Sequence, residues 1–253
     1  MSSGAGSGAA GKAGDWLQKA TRAESSVARA KYATRGLAAA GRDRTLRAML
    51  LRQLYLSQME SEQFGSAADT AREILELNVL PDVAAQDLAR AQLALGEPAK
   101  AIEELRRASR VGPASRRAFH LWTLGTVLYF REDHAGAASA FERAVRWGTT
   151  ARPLYRAQLL LARLGQGRRL SARALAAARQ ELEAAACGQG YGRYVLGELA
   201  HRQGDVAAAR AFLEEFSARS AAGRAALRVS LASELARARQ LLSALEVEEI
   251  AKV

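Results

Sequence analysis

The chain has 253 residues, of which 37 are Lys or Arg and 26 are Asp or Glu, so its formal net charge is +11. A single cysteine excludes an intramolecular disulfide framework and makes a reducing compartment the default. No apolar run approaches the ~20 residues of a membrane-spanning helix, and the N-terminus lacks the apolar core of a signal peptide, so we expect a cytoplasmic protein. Abundant Ala, Leu, Arg and Glu with only four Pro are typical of an all-helical chain.

The N-terminal part of the chain is predicted to hold a tail and a cap. Residues 1–14 are mostly Gly, Ala and Ser, which cannot bury enough apolar surface to fold, so we expect a disordered tail. Residues 15–47 are expected to form a basic helical cap, whose first helix runs from Asp15 to about Ala40. Apolar residues recur along that helix: Trp16, Leu17, Ala20, Ala23, Val27 and Ala30. The helix either covers the end of a repeat array or serves in dimerisation or at a membrane surface.

Small and apolar residues then recur with a period of about 36. Alanine occupies one set of equivalent positions: Ala67, Ala101, Ala137 and Ala209. Further members follow four and seven residues later: Ala71, Leu105, Phe141 and Leu213, then Ile74, Ala108, Ala144 and Phe216. A period of this length indicates stacked helix pairs. We place five units at 48–81, 82–117, 118–153, 154–189 and 190–220.

Several short motifs recur within these units. Leu124-Gly125 and Leu196-Gly197 occupy equivalent places in first helices, and Gly96-Glu97 and Gly204-Asp205 occupy the turns that follow such helices. Pro113 follows a second helix. These motifs resemble tetratricopeptide repeats over about residues 48–220. The resemblance implies an all-α, right-handed helix-turn-helix repeat solenoid of about five TPR-like units, with N- and C-terminal capping helices.

In the family that the chain resembles, first helices line a concave groove, with groove-facing residues at i, i+3, i+7 and i+10. Mapped onto this chain, those positions hold Arg52, Gln86, Arg90, Trp122, Thr126, Tyr129, Tyr155, Gln158, Tyr191, Tyr194, Glu198 and His201. Aromatic side chains such as Trp122 and Tyr194 suit recognition, although the same rings would equally serve as core between repeats. The implied partner is a helical or extended segment of another protein.

The C-terminal residues 221–253 are predicted to contain an amphipathic helix from about Arg224 to Leu245. Its apolar residues recur at helical spacing: Leu227, Leu231, Leu235, Ala238, Leu242 and Leu245. The helix either covers the last repeat or pairs with a second copy or a partner as a short coiled coil. Self-association through the end helices therefore stays open.

Motifs for chemistry are not found in the sequence. His120, His134 and His201 lie in different units without the spacing of metal ligands, and Cys187 has no neighbouring His. No motif specifies a reaction, so we expect no catalysis, no metal site and no cofactor. The sequence predicts a scaffold or adaptor that binds a segment of a partner protein.

Clusters of arginine support an alternative function. Residues 1–60 carry ten Lys or Arg and four Asp or Glu, so 10 − 4 = +6 of the net charge lies there. Two further clusters lie at residues 106–117 and 168–173. Such charge attracts nucleic acid or an anionic membrane surface, but aromatic residues for base stacking are not interleaved with the arginines. The preference for Arg over Lys, with abundant Ala and Gly, favours a bacterial source.

Overall fold

The computed structural model describes residues 4–223 and 225–250, and all of the regular structure within those ranges is helical. The predicted all-α helical-repeat architecture is thereby confirmed. The chain divides into two units, Met1–Gly112 (unit 1) and Pro113–Val253 (unit 2).

Unit 1 contains six helices in its described part, and each helix packs against the next. Their bounds are α1 Gly4–Arg22, α2 Ser26–Ala39, α3 Arg44–Glu60, α4 Phe64–Leu77, α5 Pro81–Ala94 and α6 Pro98–Val111. Pro81 and Pro98 lie in the first turns of their helices, where the missing N–H of proline costs no hydrogen bond.

Unit 2 contains eight α-helices in its described part. Their bounds are α7 Ala114–Phe130, α8 His134–Trp147, α9 Arg152–Gly165, α10 Ala172–Ala184, α11 Tyr191–Arg202, α12 Val206–Ala222, α13 Ala225–Ser230 and α14 Ala232–Ile250. A short 3₁₀ helix, Ala186–Gly188, joins α10 to α11. One hydrophobic core extends from α7 to α14.

The turns inside five helix pairs share one backbone conformation. The pairs are α3–α4, α5–α6, α7–α8, α9–α10 and α11–α12, and each turn contains a residue with positive φ. These residues are Glu62 (57°), Gly96 (75°), Glu132 (61°), Gly167 (76°) and Gly204 (74°). A left-handed residue of this kind ends a helix and reverses the chain. The second helix then begins at a capping side chain in three pairs, where Asp133, Ser171 and Asp205 accept hydrogen bonds from backbone N–H groups.

The repeated small and apolar positions form the interior of the helix pairs. All twelve positions singled out by their spacing are at most 4% exposed. The Leu-Gly motif has a steric reason, since a Cβ on Gly125 would lie 2.6 Å from Cε1 of Phe141. A Cβ on Gly197 would likewise lie 2.6 Å from Cγ of Leu213. Glycine therefore lets the two helices of a pair approach closely.

The N-terminal segment differs from the expectation in two ways. Residues 4–14 belong to α1 rather than to a disordered tail, and Ala13 is fully buried beside Ala40 and Leu50. Residues 1–3 lie outside the described residues. The single helix expected over residues 15–40 is broken, because Ser25 accepts a hydrogen bond from the N–H of Ala28 at 3.2 Å and begins α2.

The break at Ser25 also changes which side chains α2 buries. Val27 was expected on the apolar face but is 75% exposed. Ala33 and Gly36 are buried instead, and Gly36 lies against Leu50 of α3 and Trp16 of α1. The N-terminal cap thus consists of two short helices rather than one long helix.

The C-terminal segment is also two helices instead of one. Arg224, where the predicted helix begins, lies outside the described residues. α13 ends at Ser230, whose hydroxyl donates to the carbonyl of Ala226 at 2.9 Å, and α14 begins at Ala232. Leu227 was expected on the apolar stripe but is 45% exposed. The stripe therefore begins at Leu231, which precedes α14 and packs, partly buried, against the core of unit 2.

Candidate functional site

Nine of the twelve predicted groove residues lie in unit 2, on α7, α9 and α11. We call these nine residues the aromatic face: Trp122, Thr126, Tyr129, Tyr155, Gln158, Tyr191, Tyr194, Glu198 and His201. Helical spacing places them on one side of their helices, and hydrogen bonds and ring contacts join most of them. His201 is half-buried on α11, and neither a hydrogen bond nor a ring contact links it to the other eight.

Gln158 connects the three helices of the aromatic face. Its Oε1 accepts a hydrogen bond from Nε1 of Trp122. Its Nε2 donates to the hydroxyl of Tyr191 at 3.3 Å and to Oγ1 of Thr126 at 3.5 Å. The ring of Trp122 meets the ring of Tyr191 edge-on, with centroids 4.9 Å apart. A buried amide with these partners fixes the orientation of the neighbouring side chains.

A second polar group lies deeper in the aromatic face. The hydroxyl of Tyr194 donates to Oε1 of Glu198 at 3.0 Å, and the two residues are 1% and 0% exposed. Burial, followed by the nearby Glu198 carboxylate, raises the pKa of Tyr129 to about 12. Burial also holds the pKa of Tyr194 well above its usual value. These phenols therefore act as neutral hydrogen-bond donors at physiological pH.

The C-terminal helix α14 lies on the aromatic face. The hydroxyl of Tyr191 donates to Oε1 of Glu234 at 3.1 Å. Nε of Arg237 donates to Oε1 of Glu198 at 3.0 Å. Glu234 is only 5% exposed, and this burial raises the pKa of its carboxyl to about 7. The aromatic face thus binds α14 through a hydrogen-bond donor, the hydroxyl of Tyr191, and through an acid, Glu198.

The apolar residues of α14 complete this contact. Ala238, Leu241 and Leu245 are at most 3% exposed and belong to the same core as Tyr194. Together with Glu234 they follow the spacing i, i+4, i+7 and i+11, which is one side of an α-helix. Glu234 and Arg237 were not among the predicted site residues. Their helical spacing from Ala238 and Leu245 was the available signal.

The aromatic face is therefore not the open groove that the sequence predicted. Thr126, Tyr155, Gln158, Tyr194 and Glu198 are at most 7% exposed. Neighbouring first helices cover part of these side chains, and α14 covers another part. The alternative assignment, that the rings serve as core, applies to Tyr155 and Tyr194, whereas Trp122, Tyr129 and Tyr191 are partly exposed.

In unit 1 the three remaining predicted residues surround or adjoin one buried acid, Asp87. Nε of Arg52 lies 2.9 Å from Oδ2 of Asp87, and Nη1 of Arg90 lies 3.7 Å from Oδ1. Gln86 is 4% exposed, so it does not present its side chain at the surface. Asp87 was not among the predicted site residues, although its spacing of three residues from Arg90 on α5 indicated an ion pair.

Arg52 also lines an open cavity in unit 1. The cavity has a volume of about 240 Å³ and lies among α1, α3 and the α4–α5 corner. Its walls are mostly apolar, with Met49, Ile74, Leu80 and Val83 among the lining residues. Met49 is 44% exposed, and the side chain of Arg52 is also 44% exposed. The cavity combines an apolar interior with a cation at its edge.

Across the described residues, no three or more His, Cys, Asp or Glu side chains are grouped so as to hold a metal ion. Among the helices that the structure describes, none combines the length and the hydropathy that crossing a bilayer requires.

Comparison with known proteins assigns the fold. No protein-family model and no curated protein matches the sequence. A solved tetratricopeptide repeat protein from Parabacteroides merdae is similar over 97% of this chain and 93% of its own, with a TM-score of 0.59 and 17% identity. Pseudomonas aeruginosa PilF is similar over 81% of this chain and 91% of its own, with a TM-score of 0.51 and 20% identity.

A third solved structure, of MamA, is similar over 71% of this chain and 91% of its own, with a TM-score of 0.52 and 18% identity. At these levels of identity the comparisons establish the fold. The chain has the fold of tetratricopeptide repeat proteins.

Proposed function

We propose that this protein is a non-catalytic scaffold or adaptor of the tetratricopeptide repeat type, which binds a segment of a partner protein. The observation that carries the proposal is the helix seated on the aromatic face. Side chains predicted to recognise a partner, Tyr191 and Glu198, instead hold Glu234 and Arg237 of α14. A surface that already holds one amphipathic helix has the chemistry to hold another.

The cavity in unit 1 also supports binding of a partner segment, and this support does not depend on the aromatic face of unit 2. Its apolar walls favour a large aliphatic or aromatic side chain from a partner. The guanidinium of Arg52 gives one hydrogen bond to Asp87 through Nε, and its exposed edge favours a carboxylate beside that anchor. A partner segment with an apolar anchor next to an acidic residue fits both features.

Affinity capture from a nuclease-treated lysate tests the proposal. The full chain is compared with Met49→Asp, which places a charge at the cavity, and with Tyr191→Phe, which removes the hydroxyl between Gln158 and Glu234. Val27→Asp is the matched control in unit 1, because Val27 is also an exposed aliphatic residue but does not line the cavity. Unchanged helicity is verified for every variant.

The expected result is a discrete protein that remains bound at raised salt, is weakened by Met49→Asp or Tyr191→Phe, and is unaffected by Val27→Asp. Capture that is lost at raised salt, or that occurs only when the nuclease is omitted, would contradict the proposal, because phosphate-dominated binding weakens steeply with ionic strength. Nucleic acid or an anionic membrane surface would then be the ligand.

A further inference from the structure

The aromatic face contacts α14 through a small and specific set of side chains. Tyr191 meets Glu234 at 3.1 Å, and Glu198 meets Arg237 at 3.0 Å. Ala238, Leu241 and Leu245 fill the apolar part of the contact. The aromatic face and the core beside it therefore contact five positions of α14. Two of these contacts are polar, and three are apolar packing contacts.

The side chains that α14 buries differ from those that the repeat helix α12 buries. α12, the last helix of the fifth pair, buries two phenylalanines and a leucine. α14 buries two leucines, one alanine and one carboxyl, and a buried carboxyl opposes docking when it is ionised. Leu235 and Leu242 of α14 are only partly buried against the core, so α14 buries less apolar surface per residue than α12 does.

The connection between α12 and α14 is a short segment that packs little against the rest of unit 2. Gly223 follows α12, and α13 covers only Ala225–Ser230. None of the α13 side chains that the structure describes is buried, and Leu227 is 45% exposed. A separation at this point breaks few packing contacts.

We propose that α14 occupies the site on unit 2 where the partner binds. The partner then binds through an amphipathic helix that places the same types of residue against the aromatic face. This inference rests on the proposed function and specifies its ligand. The pattern is an acid at position i, arginine at i+3, a small residue at i+4 and leucine at i+7 and i+11. In α14 these positions are Glu234, Arg237, Ala238, Leu241 and Leu245.

Each position of the pattern has a physical reason. The acid accepts the hydroxyl of Tyr191, and the arginine neutralises Glu198, which would otherwise be a buried charge without a cation. The small residue allows close approach, and the two leucines replace Leu241 and Leu245 in the core of unit 2. A helix that lacks the acid leaves the hydroxyl of Tyr191 without this acceptor, and a helix that lacks the arginine leaves the buried carboxylate of Glu198 without this cation.

Binding of a synthetic peptide with the sequence of residues 232–250 tests this inference. Fluorescence anisotropy measures its affinity for the full chain and for a full-length Leu241→Asp variant, in which the tethered helix no longer fits. Because a tethered helix competes at high effective concentration, the variant should bind the peptide at least about tenfold more tightly than the wild type.

Two substituted peptides give a matched comparison. Leu241→Asp/Leu245→Asp changes the buried side of the helix, and Ala236→Asp/Gln240→Asp places the same charges on its exposed side. The first should bind at least about tenfold more weakly than the second. If Leu241→Asp unfolds the protein, Arg237→Ala replaces it in the same assay.

Equal affinity of the wild type and the variant, or of the two substituted peptides, would overturn the inference. A wild-type dimer that exchanges α14 between copies, detected by light scattering, would also overturn it, because the occupant would then be a second copy. The assay contains no lysate, so a failure here rejects the helix pattern, whereas failure of the capture experiment rejects the scaffold function itself.

Discussion

Arg237 of α14 forms an ion pair with Glu198 of α11, because its Nε lies 3.0 Å from Oε1 of Glu198. The side chain of Glu198 is 0% exposed, so its carboxylate is buried inside unit 2. The two residues are 39 positions apart in the chain. This ion pair joins the fifth helix pair to the C-terminal helix. It is the polar centre of the contact between α14 and the aromatic face.

Loss of this ion pair should loosen α14. Arg237→Ala leaves Glu198 buried without its cation, and we expect it to cost about 2 kcal/mol, less than for a fully buried pair because Arg237 is partly exposed. Hydrogen–deuterium exchange of residues 232–247 should accelerate. Arg239→Ala is the control on the exposed side of α14 and should leave exchange unchanged. Similar exchange rates of residues 232–247 in the two variants would show that the ion pair does not hold α14 in place.

The docking of α14 should depend on pH through Glu234. Burial raises the pKa of this carboxyl from 4.5 to about 7, so between these values the docked state binds a proton that the undocked state has lost. Docking is therefore strongest below pH 4.5, weakens as pH rises through this window, and is weakest above pH 7. The difference between pH 5 and pH 8 is roughly 2–3 kcal/mol.

The groups facing Glu234 do not reverse this dependence. Tyr191 and Tyr194 of α11 have raised pKa values because they are buried, so they stay neutral over this range, and Arg237 stays charged. Urea unfolding at pH 5 and pH 8 measures the effect against Glu234→Gln, which keeps the shape and cannot ionise. The substitution should reduce the loss of stability between the two pH values. An identical pH dependence in both proteins would rule out Glu234 as its source.

The Leu-Gly motif predicts a steric penalty at Gly125. An added methyl group would meet the ring of Phe141, so Gly125→Ala should destabilise the protein by about 1–3 kcal/mol. Gly14→Ala is the control, because a Cβ there meets nothing within 4 Å and alanine favours a helix by about 0.5–1 kcal/mol. Thermal unfolding should separate the two variants in opposite directions. A neutral or stabilising Gly125→Ala would show that the two helices can move apart.

Removal of one partner of a buried ion pair in unit 1 should lower the free energy of unfolding strongly. Replacement of both partners by apolar residues should change that free energy little. Arg29 is 1% exposed, pairs with Glu60, and donates from Nη2 to the carbonyl of Ala23 at 3.1 Å. Glu60→Ala leaves a buried guanidinium without its anion and should cost about 3–5 kcal/mol. Arg29→Met/Glu60→Leu removes both charges and should cost no more than about 1 kcal/mol. Equal losses in denaturant unfolding would mean that packing, rather than charge, dominates here.

The interior of the helix pairs was predictable from the sequence because it is local and periodic. Ala137, Phe141 and Ala144 lie on one side of a helix, and the same spacing recurs in other pairs. Burial of small residues at a fixed period leaves a clear signal, since any larger side chain would separate the helices. Gly125 and Gly197 were recognisable for the same reason.

The covering of the aromatic face was not predictable in this way. Spacing along α11 indicates the direction of Tyr194 and Glu198 but not what lies against them. Aromatic residues occur both in open grooves and in cores, so residue type did not distinguish the two. The partner of Glu198 lies on another helix far along the chain, and a periodic analysis contains no information about such contacts. The break at Ser25 depended on a single hydrogen bond and was missed for the opposite reason, since it is too local to disturb the apolar pattern.

If the aromatic face holds α14 as proposed, a similar helix should displace α14 from that face. Spin labels at Arg143→Cys on α8 and Arg239→Cys on α14, in a Cys187→Ser background, measure the distance between the two helices by pulsed electron resonance. Both sites are exposed and lie in unit 2. We predict a single narrow distance distribution that becomes long and broad when the peptide of residues 232–250 is added in excess. A distribution that stays narrow while the peptide is bound would contradict the account, because α14 would then be a fixed part of unit 2.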